Sequence, residues 1–254
     1  MFQTQFIVDG NEPFRLILVS DMHIGLSGFR RDLFEKQLKD LSKPNTYWIG
    51  LGDFVEGRVV SHPLYNPNES EMILGDQYKY LFSRIDKYAS TCLGMILGNH
   101  EESHVKSTQL NPIKDWCTRH KVSYLGNEGR VTIYSPTTGD AISVLAFHGA
   151  GGGATGAGIN KAIGYQYAFI PDITVLGHHH KYSHTTPLSM RETDIGRIIP
   201  VRTDVIVNGA LLDGYADEKC SYAEAKMMTP TLPGYAVLVF GEHLKLKYSQ
   251  FISD

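Results

Sequence analysis

The sequence predicts an α/β fold, a layered sandwich with two sheets, in one domain over residues 1–254. Three observations lead there. Short apolar runs rich in β-branched and aromatic residues recur along the chain and read as buried strands. In the first half they alternate with segments of helical period, and in the second half strands dominate, as in layered sheets with helices packed outside. No repeat, linker or shift of composition divides the 254 residues, a length that one large domain can fill.

Taken in order, residues 5–8 and 14–19 read as an early pair of strands, with Asp9, Gly10 and Asn11 as the turn between them. Residues 30–41 place Leu33, Phe34, Leu38 and Leu41 at helical spacing, and Pro44 and Asn45 stop that helix. A buried strand follows at 46–51. Residues 59–69 carry two prolines and two asparagines and read as a loop. Residues 74–88 have helical period, and 91–97 form a strand. Residues 105–120 contain a helix that begins near Asn111 and Pro112, where proline suits the first turn. Further strands are expected at 130–134, 141–147, 172–176, 198–208 and 235–240, and residues 243–251 alternate. A helix at 157–169 follows a glycine-rich stretch.

Composition narrows the function classes. A hydrophobic fraction of 42% and an aromatic fraction of 11% support a sizeable core and argue against disorder. No apolar run is long enough to span a bilayer, so no membrane partner is expected, and the first residues lack the basic region and cleavage site of a secretory signal. Cys92, Cys117 and Cys220 are far apart with no CxxC pairing, which argues against thiolate zinc and a disulfide framework. A cytoplasmic location fits. The net charge of -3 supplies no basic field for a polyanion. An enzyme whose positive charge comes from metal ions is untouched by that argument.

Five of the strand-like runs end in residues that bind metals. LILVS leads to Asp21 and His23, YWIGLG to Asp53, MILG to Asn99 and His100, LAF to His148, and ITVLG to His178, His179 and His180. If these strands lie in one sheet, their carboxyl ends bring the clusters to one edge, where open α/β folds bind ligands. Asp21 and His23 are two apart and can point the same way from a strand end. So can His178 and His180, with His179 facing elsewhere. A lone aspartate or histidine after a strand is usually a cap or turn former; the ordered set carries the weight. Carboxylate, imidazole and amide donors without thiolate suit manganese, iron, zinc or nickel. The candidate ligands are Asp21, His23, Asp53, Asn99, His148, His178 and His180. Seven exceed the needs of one ion, but two ions sharing a carboxylate would use them, and Asp53 is the natural bridge. Two divalent ions bring four positive charges and the two aspartates remove two. The remainder stabilises a hydroxide and attracts an anion, and ions ~3.5–4 Å apart clamp an in-line displacement at phosphorus.

Asp21-Met22-His23, Gly52-Asp53, Gly98-Asn99-His100-Glu101, His148-Gly149 and Gly177-His178-His179-His180, in this order, resemble the calcineurin-like metallophosphoesterases. The match spans residues 21–180. The resemblance implies a four-layer α/β/β/α sandwich of two mixed sheets and a dinuclear centre. One ion would take Asp21, His23, Asp53 and His180, the other Asp53, Asn99, His148 and His178. The implied cofactor is two divalent transition-metal ions, manganese first, with iron, zinc or nickel as alternatives. The resemblance also places His100 against the substrate as general acid. Glu56 stands where a carboxylate orients that histidine; a solvated loop carboxylate is the competing reading. Arg58 could contact phosphate, against the plainer reading of a surface arginine.

The implied activity is a metal-dependent phosphoesterase, specifically a phosphodiesterase acting on a nucleotide-like or other small phosphodiester by attack of a metal-bridging hydroxide. Two alternatives stand beside it. A DNA or RNA nuclease of the same superfamily is disfavoured by the acidic balance and the short chain after His180. A non-catalytic scaffold is disfavoured because every ligand position is filled. The stretch after His148 contains Gly151, Gly153 and Gly156 at dinucleotide-fingerprint spacing, but His148 is already wanted by the metals and no suitable acid follows. Two readings remain for it: a mobile glycine loop, or a backbone N–H nest lining the substrate pocket. This stretch, with Gly158, Asn160 and Lys161, resembles a subset of these enzymes found in phages and bacteria. His62, His104, His120, His179 and His184 have no assigned role and read as ordinary surface residues, although His62 and His104 lie in expected loops that could flank the site.

Overall fold

Alternation along β2 (Phe14–Val19) decides the layering. Leu16 and Leu18 point into one buried layer, Ile17 and Val19 into another. The computed structural model describes residues 1–60, 65, 70–149, 160, 163–164, 170–193, 195–215 and 229–253. A five-stranded sheet runs β13 (Leu246–Ile252), β12 (Tyr235–Phe240), β2, β3 (Thr46–Gly50), β4 (Cys92–Met95), parallel from β2 to β4 and antiparallel elsewhere. A six-stranded sheet runs β1 (Phe2–Ile7), β5 (Glu128–Tyr134), β6 (Ala141–Phe147), β7 (Ile173–Leu176), β11 (Asp204–Val207), β8 (Ser183–Thr185). It too is mixed: β5–β6 and β11–β8 are antiparallel, the other pairs parallel.

The inner layer joins the sheets. Leu16, Leu18, Ile49 and Leu51 meet Val131, Val144, Val175 and Ile206. On the other face of the five-stranded sheet, Ile17, Val19 and Trp48 receive three helices, α1 (Arg31–Leu41), α2 (Leu74–Ile85) and α4 (Pro112–His120). The apolar stripe expected on α1 is buried as Leu33, Phe34, Leu38 and Leu41. Trp48 is fixed by a hydrogen bond from Nε1 to the Tyr88 carbonyl (2.8 Å). The outer face of the six-stranded sheet presents Leu176, Val205 and Val207, with Phe147 and Ile163 packed on it. Ile163 and its described neighbours Asn160 and Gly164 are helical, on the segment expected to form a helix. The α/β/β/α order thus has two mixed sheets at its centre. No helix among the described residues is long and apolar enough to cross a membrane.

Three local expectations are corrected. The first two strands do not pair: β1 lies parallel to β5, and the turn at Asp9 to Asn11 carries the chain from one sheet to the other. β2 is buried on both faces, the signature of a central strand, whereas β1 is largely exposed at a sheet edge. The run 198–208 splits at Thr203. Its first part, β10 (Ile198–Arg202), forms a two-stranded ribbon with β9 (Leu188–Glu192), because Pro200 lacks the N–H a central strand needs. Finally, α3 (Asn99–Thr108) precedes the expected helix, ending at Gln109 in a left-handed turn (φ 61°). The following helix starts as expected, with Asn111 accepting the Lys114 N–H (2.9 Å) and Pro112 in the first turn. Of the loop at 59–69, residues 61–64 and 66–69 lie outside the described residues, His62 among them.

Candidate metal centre

The five clusters come from the carboxyl ends of strands in both sheets: β2, β3 and β4 from one, β6 and β7 from the other. The centre therefore straddles two facing sheet edges rather than one. The two-residue spacing also works differently from a strand pleat. Asp21 (φ 51°), His23 (48°), Asp53 (52°), His178 (69°) and His180 (53°) all adopt left-handed backbone. Each costs a non-glycine residue ~1–2 kcal/mol, and such strain persists only where the surroundings over-determine it. Here the loops brace each other. The Asp21 N–H donates to the Gly52 carbonyl (3.0 Å), and those of Met22 and His23 donate to that of Asp53 (2.9 and 3.1 Å). The His178 N–H donates to Asp21 Oδ1 (2.9 Å). Two glycines permit the close approach: a Cβ on Gly98 would overlap Asp53 Oδ1, and one on Gly177 would lie 2.5 Å from Asp21 Oδ2.

The candidate ligands converge in three groups, each offering atoms within 4.8 Å of one another: Asp21, His23 and His180; Asp53, His148 and His178; and His23, Asp53 and His100. Asp53 sits between them. Its Oδ1 accepts the His100 N–H at the amino end of α3 (3.0 Å). Its Oδ2 lies 3.0 Å from His148 Nε2 and 3.9 Å from His23 Nε2. Asn99 joins the second group, with Oδ1 3.1 Å from His148 Nε2. His23 Nε2 faces His180 Nε2 at 3.2 Å, and His180 Nε2 lies 3.4 Å from Asp21 Oδ1. All seven expected positions thus meet in one place. His179 is outside the three groups.

The imidazoles are oriented from behind. His148 Nδ1 donates to the Leu51 carbonyl (2.6 Å) and His23 Nδ1 to Glu56 Oε2 (3.2 Å). Both aim Nε2 inward, the arrangement by which outer partners fix a ligating tautomer. Glu56 is buried, not a solvated loop carboxylate. The same Oε2 lies 3.3 Å from His100 Nδ1, which also donates to the Glu56 carbonyl (2.6 Å). Glu56 Oε1 pairs with Arg58 (2.8 Å), whose side chain is only 16% exposed. Glu56 therefore serves His23 as well as His100, a link the sequence reading missed.

Glu101, the last residue of the Gly98-Asn99-His100-Glu101 motif, has a structural role of its own. Fully buried, it accepts the N–H groups of Asp53 (2.8 Å), Phe54 (2.7 Å), Val55 (3.1 Å) and Gly98 (3.0 Å). It ties the start of α3 to the loop bearing Asp53. A glutamate three residues after the helix-capping Gly98 was the available signal.

Charge defines what the centre wants. Burial opposes ionisation of Asp53, but His148 beside it outweighs this and holds the carboxyl well below its ordinary range. Burial alone would lower His148, yet the Asp53 carboxylate raises it to about 10. His178 is pushed down to about 4 by burial and then by His148. Burial and then the Asp53 charge push Glu101 up to about 7, against its N–H donors. Two buried carboxylates at the convergence of several imidazole nitrogens demand compensating positive charge. A divalent cation on these oxygen and nitrogen donors answers that demand, so the residues fit the implied metals.

His104 is not a loop residue beside the site: it is buried on α3, 3.0 Å from the Tyr78 hydroxyl. The glycine-rich stretch, residues 150–159, lies outside the described residues.

Comparison with the curated proteins returns no match. Among solved structures, Vps29 from Chaetomium thermophilum aligns at 13% identity and TM-score 0.43, covering 94% of this chain and 95% of that one. Vps29 complexed with Zn²⁺ from Entamoeba histolytica aligns at 12% and 0.37, covering 94% and 99%. A conserved Streptococcus pneumoniae protein described as a predicted phosphoesterase aligns at 11% and 0.38, covering 95% and 98%. Residues 14–209, which hold every group of the centre, match the family model for the calcineurin-like phosphoesterases, and the chain belongs to that family.

Proposed function

We propose that the chain is a dinuclear metal-dependent phosphodiesterase acting on a small, nucleotide-like phosphodiester. The observation that carries this is the position of Asp53, one oxygen held by the α3 amide and the other facing both ligand groups. Asp21, His23, Asp53 and His180 would hold one ion, and Asp53, Asn99, His148 and His178 the other. When bound, two such ions, manganese first, would neutralise the phosphate and lower the pKa of the attacking water. The chain's own residues supply position and protons. Asp53 and Asp21 set the charge. Glu56 holds His100 by its Nδ1, leaving Nε2 to share or give a proton to the leaving oxygen.

The test is turnover of bis(p-nitrophenyl) phosphate by protein loaded with Mn²⁺, alongside monoesters and single- and double-stranded DNA and RNA. Diester hydrolysis that stops with chelator is expected. Retained metal without turnover of any phosphoester would instead favour a binding scaffold, and salt-sensitive strand degradation a nuclease. His100→Ala is expected to keep its metal and lose ~10²–10⁴-fold in turnover. The loss should be larger for an alkyl leaving group than for nitrophenolate, which departs without help from an acid. Equal losses on both would remove His100 from that role.

A further inference from the structure

One flank of the sandwich brings together a second set of chemistry-bearing side chains, none of them in the metal-site groups. His184 lies on β8, the edge strand of the six-stranded sheet, and Asp204 on its neighbour β11. Ser249 lies on β13, the edge strand of the other sheet. Ser249 is paired with Leu238, an inner-layer residue, so it faces across to the first sheet. There His184 Nε2 is 2.6 Å from Asp204 Oδ1, and His184 Nδ1 is 2.7 Å from Ser249 Oγ. The Tyr182 hydroxyl lies 2.6 Å from that same oxygen.

An ionised Asp204 beside a neutral His184 ring gives each proton in the cluster one direction. Ionised Asp204 can only accept, so His184 Nε2 carries a hydrogen. With the ring neutral, Nδ1 offers a lone pair, and the Ser249 O–H is the donor that meets it. This uses the serine's one proton, so Tyr182 donates to Oγ. A serine hydroxyl thus points at a base whose far nitrogen is held by a carboxylate, the relation of an activated nucleophile. The ring nitrogens are used in the reverse order from the serine-protease template. Ser249 is half-buried, and the His184 and Asp204 side chains beside it are 24% and 26% exposed, so a small ester can reach the cluster.

We propose that Ser249, His184 and Asp204 form an acyl-accepting site for small, activated carboxylic esters. The Ser249 O–H proton passes to His184 Nδ1 as the bond from Oγ to the acyl carbon forms. The ester C–O bond then breaks, and the departing alkoxide or aryloxide takes that proton. Water repeats the sequence, releasing the acid and restoring Ser249, while Asp204 balances the transient imidazolium.

The test treats the whole folded chain with a phosphonyl fluoride, which traps activated serines, and with p-nitrophenyl acetate, and maps adducts by peptide mass. One adduct at Ser249 is expected. It should vanish in Ser249→Ala and form ~100-fold more slowly in His184→Ala, the smaller end of the range for general-base catalysis. Metal-dependent diester turnover in Ser249→Ala should stay at the wild-type rate. No adduct at Ser249 in the wild-type chain, or equal rates with and without His184, overturns the proposal and leaves these residues as a pin between two sheet edges.

Discussion

An Asp53→Asn chain is expected to melt within a few degrees of wild type, lose at least one equivalent of bound metal, and lose at least ~10³-fold in diester turnover. The asparagine oxygen can still accept the His100 N–H, so the junction between the loop and α3 survives. What changes is the atom in place of Oδ2. An amide nitrogen is a donor, and it would stand 3.0 Å from His148 Nε2, where the carboxylate oxygen now faces both ligand groups. Elemental analysis, a melting curve and a turnover assay on one preparation separate the outcomes. Full metal content with wild-type activity would show that Asp53 is not shared.

Glu101→Ala is expected to be the most destabilising single change near the centre. Four buried N–H groups lose their acceptor, and each buried donor left unmet costs ~1–3 kcal/mol. Water entering the space would recover part of that. A net loss of about 3 kcal/mol or more lowers the melting temperature by on the order of 10 °C. Glu101→Gln should fall between: its one oxygen keeps some of the N–H donors, and its NH₂ is turned against the rest. Thermal melting of both variants checks the order, and an alanine variant as stable as wild type would deny the clamp. Activity should fall in both, because the Asp53 loop is what the clamp positions.

Much of this was legible in the sequence, for identifiable reasons. Most of the strands that feed the centre are buried on both faces, β6 in its second half, so they appear as continuous apolar runs, and the candidate ligands follow each run within a few residues. The α1 stripe and the Asn111–Pro112 start were equally plain. The missed elements lack that contrast. α3 is polar along most of its length, and of its residues only Glu101 and His104 are buried. Its start is set by a buried carboxylate rather than by an apolar face. β8 spans three residues, too few for a period to show. That β1 and β2 separate into different sheets is a matter of tertiary competition: β5 takes one, and β3 and β12 the other. The second duty of Glu56 had no linear signal, since His23 is 33 residues away and the two meet only once β2 and β3 are side by side.

Five of the converging residues occupy a backbone basin that suits glycine better than histidine or aspartate. Where the side chain does not itself brace a loop, as those of Asp21 and Asp53 do, a chain shaped for endurance alone would carry glycine at these corners. His178, only partly buried and at φ 69°, offers the cleanest case. His178→Gly should melt about a degree or two higher than its parent, because relief of the left-handed penalty outweighs the added freedom of the unfolded chain, yet it should bind its cation more weakly. Durability and chemistry would then be opposed at a single peptide unit, and homologues that abandoned the reaction would be free to drift toward glycine there.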